Sequence, residues 1–387
     1  MSRSPLLRPA LLPGIARVWR PPRTLQLGLD TARAVLVELP DPGAAKLLDL
    51  LDGTRPERVI LRFATDLGIR PDETRALLDS LHAAGLLLPA PSLLPPSLPA
   101  TTRRRLTPEA TALALERAQP VTARAGPASK RAPVVVPSPA RTLRRRTQAK
   151  IVVTGRGRLA GPIAVALTEA GIGHVEPDLA GAVIEADLPG GPLHAADIGL
   201  PRRAAVAAAV QRAAPGTATK PVRRGAAALT IQLGYDQPAA LIAAHHASRQ
   251  QPHLAVAIRE GVAVIGPLVP ASGGPCLNCL DLHRRDRDAG WPGLGVELAR
   301  DAPEPCSVAT LLAAASYATA EALTFLDGCE PETLGAAVEI TGPGRFRRRS
   351  WPAHPACGCD DHHARTGRTR QRNPHGTQRR TQHLHTW

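Results

Sequence analysis

At 387 residues the chain is long enough for two domains, or one domain with a sizeable appendage, and its 43% hydrophobic content excludes wholesale disorder. Aromatic residues make up only 2%, so a core has to be built from Leu, Val, Ile and Ala; 40 prolines and 33 glycines without a Gly-X-Y period indicate loops and linkers and exclude collagen. The net charge of +15 would suit a nucleic-acid partner, but it is confined to two stretches. Twelve basic residues face two acids between Thr101 and Lys150, and six arginines face no acid between Ala364 and Trp387. Setting aside these segments of +10 and +6 leaves −1 for all other residues. Both segments read as solvated linker and tail, because prolines (120, 127, 133, 137 and 139) and polar composition leave too little apolar surface to offset ordering entropy. A basic arm for nucleic acid or an acidic partner is the competing reading of those stretches alone.

In chain order, the apolar run near the start is broken by Arg8, Pro9 and Pro13, so no secretory signal is read there. Alternation in residues 24–29 and 34–39, with Asp30-Thr31 between, predicts a β-hairpin. Helices are expected over Pro42–Leu51, Pro56–Leu67 and Pro71–Ala84, each opening near Pro or Asp and closing at glycine. Leu77, Leu78, Leu81 and Leu86 form a stripe for a small core. A winged-helix-like α+β module over residues 18–90 follows. DNA reading does not suit it, because the third helix sets Asp72, Glu73 and Asp79 against only Arg75 and His82. Through Leu50-Leu51-Asp52-Gly53-Thr54 and Leu81-His82-Ala83-Ala84-Gly85-Leu86, the module resembles the peptide-recognition domains related to PqqD. The resemblance implies a leader peptide added as a strand to an open sheet edge, here Val35–Leu39.

Lys150–Thr154 predicts a buried strand, followed by a turn containing Gly155, Gly157, Arg158 and Gly161, a helix over Pro162–Ala170 and a second strand over Gly173–Asp178. Strand, glycine-rich turn and helix open a nucleotide-binding βαβ unit, where glycines let the backbone approach phosphates. The third glycine lies one position late; Asp178 or Glu176 would suit the ribose. Six cysteines occur downstream. Cys276 with Cys279, and Cys357 with Cys359, form two close pairs whose four thiolates suit a closed tetrahedral zinc site. A redox dithiol or unliganded thiols are the alternatives, and His354, His362 and His363 are substitute ligands. The charged run Leu280–Asp288 reads as a solvated crossover helix with mutual ion pairs, the alternative being a binding surface or catalytic loop around His283 and Arg284. Cys306 precedes an apolar helix ending at Leu326, whose Ser316, Tyr317 and Glu321 mark it as a core helix and not a membrane span. The thiol is either a core filler or a nucleophile with its pKa lowered at a helix N-terminus.

Taken in order, Ile151–Gly161, Asp197–Arg202, Leu229–Asp236 and the cysteine pairs resemble the ThiF family, relatives of the ubiquitin-activating enzymes. The resemblance implies a Rossmann-like α/β sheet over residues 150–363 with structural zinc, and ATP held at Gly155, Gly157, Arg158, Gly161 and Asp178. It places Arg202 at a catalytic lysine position, Asp236 at a Mg²⁺-binding position, and Cys306 where some members form a covalent adduct. Arg158 and Ala160 replace two loop glycines and would crowd phosphates. The whole chain, with a linker at 91–149 and a tail at 364–387, most resembles cyclodehydratase partner proteins that bind a leader peptide or small carrier protein. Its expected role is presentation to a separate ATP-using enzyme, from a degenerate nucleotide site, by a cytoplasmic, homodimeric protein. An active adenylyltransferase using ATP and Mg²⁺ on a carrier-protein carboxylate is the alternative of the same fold.

Overall fold

The structure, a computed structural model, describes residues 5–30, 34–38, 45–118, 137–223, 225–234, 238–291 and 304–359. The expected hairpin is formed by β3 (Thr24–Leu27) and β4 (Val35–Glu38), which pair antiparallel. A further strand, β2 (Arg17–Arg20), pairs with the other side of β3. All four β2 residues are exposed, so no apolar alternation announced it. Helices α1 (Lys46–Asp49), α2 (Glu57–Asp66) and α3 (Pro71–Ala83) fall inside the stretches bounded by proline and glycine. They bury Leu48, Ile60, Leu78 and Leu81 against Leu25 and Leu27, while Leu77 is only partly covered. β1 (Pro9–Leu11) fastens the N-terminal segment to β5 (Leu87–Pro89).

The stretch read as an unfolded linker corrects that reading. It contains α5 (Ala100–Arg117) and α6 (Pro139–Gln148), preceded by the short α4 (Ala90–Leu93). Leu106, Ala110, Ala114 and Leu143 join Leu12 and Leu93 in a core of their own. Spacing of three or four residues gives α5 one apolar stripe beneath its arginines, which a charge count over the whole segment conceals. Arg146, one of the counted charges, is 3% exposed. It contacts Glu109 Oε1 at 2.5 Å, Asp327 Oδ2 at 2.6 Å and the Ala170 carbonyl at 3.1 Å. Burial disfavours its charge, but Asp327 and Glu109 more than offset this and raise the guanidinium pKa. Residues 119–136 of the expected linker and the 364–387 tail lie outside the described residues.

The C-terminal part is the expected Rossmann-like α/β arrangement. β6 (Lys150–Gly155), β7 (His174–Leu179), β8 (Leu229–Leu233) and β9 (His253–Arg259) run parallel, while β10 (Val262–Val269), β11 (Ala336–Gly342) and β12 (Arg345–Ser350) continue antiparallel. The sheet order is β12-β11-β10-β9-β8-β6-β7. α7 (Ala160–Glu169), α8 (Arg202–Ala213), α9 (Ala239–Ala247), α10 (Leu277–Arg287) and α11 (Val308–Leu326) complete it. By length and composition α11 could cross a membrane. In the fold it instead packs Leu311, Ala315, Ala318 and Ala322 against the sheet core.

His246 of α9 stacks on His253 of β9 with ring centroids 4.1 Å apart, and each residue is 3% exposed. Burial, with neighbouring positive character from His245, holds His246 at about 3 and His253 at about 4. Both are neutral at pH 7. An unfolded histidine takes its proton near 6.5, so stability is complete above that pH and lost as pH falls toward 4, by up to about 1.4 kcal/mol per pH unit for each ring. Unfolding titrations between pH 7 and 4.5 should show this slope, and His246→Leu should flatten it; an unchanged slope would refute the assignment.

Candidate functional site

The glycine-rich turn joins β6 to α7. Gly155 has φ +104, and a Cβ there would lie 2.3 Å from the Leu233 carbonyl oxygen of the neighbouring strand. Gly157 has φ +132, and its Cβ would lie 2.8 Å and 2.9 Å from the two carboxylate oxygens of Glu304. The seat expected for phosphate therefore holds a carboxylate of the chain itself. Arg158 N–H donates to Glu304 Oε2 at 2.9 Å. The Arg158 guanidinium donates to the carbonyls of Cys306 (2.9 Å), Pro189 (3.2 Å) and Glu304 (3.3 Å). Burial raises the Glu304 pKa, against the hydrogen bond and charge of Arg158.

Arg202 opens α8 but is already engaged, donating to Asp187 Oδ2 at 2.6 Å and to the Ala180 carbonyl at 3.0 Å. Gly157, Arg158, Gly161, Asp187 and Arg202 border a cavity of about 10 Å³, room for one water. Small-molecule sites ordinarily occupy about 300–1,000 Å³, so this cavity by itself is too small for a nucleotide. Asp178 stands at the end of β7 and accepts from Thr154 Oγ1 at 3.0 Å, as suits an acid beside the loop. Glu176, the other ribose candidate, accepts instead from Val222 N–H at 2.6 Å. Asp236 lies outside the described residues.

Cys306 adjoins the loop through its carbonyl; its side chain packs partly buried against the sheet core, as the core-filler alternative has it, and stands outside the helix N-terminus that would activate a thiol. Ser307 is the N-cap of α11, its hydroxyl accepting from Thr310 N–H, and Cys306 stands one residue earlier. Burial pushes the thiol pKa up, with Glu304 adding to it and Arg158 opposing. Glu304 and Asp187 escaped sequence reading: Glu304 lies 146 residues from Arg158, and no local motif marks either acid.

The two cysteine pairs do meet. Cys276 is the N-cap of α10 and Cys279 lies in its first turn, while Cys357 and Cys359 come from the loop after β12. The four Sγ atoms lie within 4.8 Å of one another. Sulfur separations are 3.8 Å for Cys276–Cys279, 3.7 Å for Cys276–Cys357 and 3.3 Å for Cys279–Cys359. A tetrahedral zinc with bonds of about 2.3 Å separates its sulfurs by about 3.8 Å, so the two pairs that include Cys276 fit and the third needs a small adjustment. A hydrogen bond from Cys276 lowers the Cys279 pKa; the same contact raises Cys276, and burial beside Cys279 raises Cys359. A cation is what would let all four ionise together. Asn278 Nδ2 donates to Cys357 Sγ at 3.2 Å, and Trp351 Nε1 to the Cys276 carbonyl at 3.3 Å.

The charged run before Asp288 is helical, as expected, and straps the loop. His283 Nε2 donates to the Pro352 carbonyl at 3.1 Å. His354 Nδ1 accepts from Ala356 N–H, which leaves its Nε2 to donate to Asp286 at 2.9 Å. With that tautomer His354 braces the loop that carries Cys357 and Cys359.

No protein-family model and no curated protein matches the chain. Solved structures do. Escherichia coli MccB with AMPCPP and MccA superposes with TM-score 0.57 at 14% identity, covering 91% of this chain and 99% of MccB. The chain shares the fold of MccB. The structure of MccB with ATP gives TM-score 0.55 at 13% identity and the same coverage. PaaA matches with TM-score 0.55 at 15% identity, covering 76% of this chain and 96% of PaaA. MccB is described as a microcin C7 biosynthetic enzyme and is also known with N-formylated MccA. The share of this chain left outside the MccB match is smaller than the N-terminal module, so the likeness extends into that module.

Proposed function

We propose that this chain is a ThiF-like protein that binds a peptide or small carrier protein and presents it for modification, with its own nucleotide loop closed. The carrying observation is the Glu304 carboxylate seated on Gly157 and Arg158 N–H, where a nucleotide phosphate would lie. A negative charge there opposes phosphate, and the remaining cavity admits about one water. Peptide binding is supported by the MccB structures that contain MccA, and by β4, an edge strand of the N-terminal sheet with Leu36 55% exposed. Main-chain hydrogen bonds to that edge would supply affinity. The partner would be a separate ATP-using enzyme of the cyclodehydratase type, and the four thiols would hold one structural zinc. A homodimer accords with the ThiF resemblance.

The alternative, an active adenylyltransferase, draws on the MccB structures with ATP and AMPCPP. ATP–pyrophosphate exchange separates the two readings. The purified chain, offered a candidate peptide, should show no exchange above background. Clear exchange that disappears in Asp236→Ala would establish the active enzyme instead.

A further inference from the structure

The loop retains much of an anion cradle. Arg158 N–H points at the occupied seat, and Arg158 and Arg202 line one small cavity with Gly157 and Gly161. The Nε–H groups of both arginines are buried without an acceptor. An unpaired buried donor costs about 1–3 kcal/mol, so it is uncommon where nothing binds. A carboxylate brings two oxygens to this place; a phosphate group brings more, with greater charge, and could reach donors that Glu304 leaves unmet. Glu304 interacts electrostatically with Arg158, Asp187 and Arg202 together.

We infer that Glu304 is the residue that decides whether this loop accepts a phosphate-bearing ligand, acting as a stand-in for phosphate that competes from within the chain. The inference rests on the reading of the loop as a nucleotide site. It goes further in assigning closure to one displaceable side chain and not to the Arg158 and Ala160 replacements. On this view the arginine at 158 is part of the cradle: its side chain is directed to the Cys306, Pro189 and Glu304 carbonyls, and its main-chain N–H is the donor that a phosphate oxygen would take over. Glu304 is therefore a specificity-determining residue, and it touches no reacting atom.

Calorimetric titration of the full chain with Mg·ATP, and separately with inorganic pyrophosphate, tests this. Glu304→Ala should tighten both by about tenfold or more, the equivalent of one charged hydrogen bond no longer competing. Glu304→Gln should gain less, because its amide oxygen can still accept from Arg158 N–H without the charge. Adding Arg158→Ala to Glu304→Ala should leave most of the gain, because the main-chain N–H that a phosphate oxygen takes over is retained. If Glu304→Ala melts early, Glu304→Gln supplies the folded comparison. Wild-type affinity in the folded variants would overturn the inference. Tight binding and exchange by the wild-type chain would defeat the presentation reading instead, while the ratio of variant to wild-type affinity would still decide the role of Glu304.

Discussion

Purified chain should carry about one zinc ion, and the double substitution Cys276→Ser with Cys357→Ser should remove it, as expected for one closed four-thiolate site. Each pair loses one ligand, so neither can compensate for the other. The effect is large because apparent binding free energies for structural zinc are about 10–16 kcal/mol in zinc-finger peptides, and that energy is folding energy. Here the loss should be local. The cluster ties the loop after β12 to α10, with the Trp351, His283 and His354 hydrogen bonds as its other fastenings. The sheet core around Ile151, Val153, Ile231 and Leu254 does not depend on those contacts. Metal analysis and limited proteolysis would measure the two consequences: loss of zinc, and cleavage within 351–359 or the Leu277–Arg287 helix. Full zinc retention by the double variant would refute the four-thiolate assignment.

Arg146→Ala should destabilise the protein by about 3–5 kcal/mol, the usual cost of removing one partner from a buried charge group. The substitution strands Asp327, whose side chain is 14% exposed, and leaves Glu109 and the Ala170 carbonyl short of a donor. It also cuts the Glu109 link between α5 and α6 and weakens that between α6 and the turn after α11, which Arg145 still holds through the Asp327 carbonyl. Urea unfolding followed by circular dichroism would give the shift. A triple variant, Glu109→Leu with Arg146→Met and Asp327→Leu, should recover much of the loss, because replacing all the charges removes the desolvation penalty along with the attraction. A cost below about 1 kcal/mol for Arg146→Ala would place the group among ordinary surface pairs.

Periodicity and punctuation were sufficient for the N-terminal helices, the β6–turn–α7–β7 unit and the long apolar helix, since each depends on neighbours within a few turns of chain. The cysteine pairs were legible for a related reason. Thiols at close spacing restrict the chemistry that can use them, and the fold had only to bring two turns together. Expectations that depended on composition fared less well. The basic segment contains folded helices because Leu106, Ala110 and Leu143 find apolar partners at Leu12 and Leu93, which no count within the segment could show.

Charge illustrates the same division at the loop. Net charge and the glycine spacing of residues 155–161 are properties of the sequence by itself, as are the four cysteines and the apolar stripe of the N-terminal helices. What lies against the loop is the carboxylate of Glu304, a residue brought across from the approach to α11. Whether Arg146 is a solvated charge or a buried anchor depends on Glu109 and Asp327, one from each side of it in the chain. Local backbone preferences act over a few residues and can be read from order alone. Coulomb energy and steric exclusion act through space, so only the tertiary structure decided that one arginine of the supposed linker is a core residue and that a carboxylate of the chain sits on the glycine-rich loop.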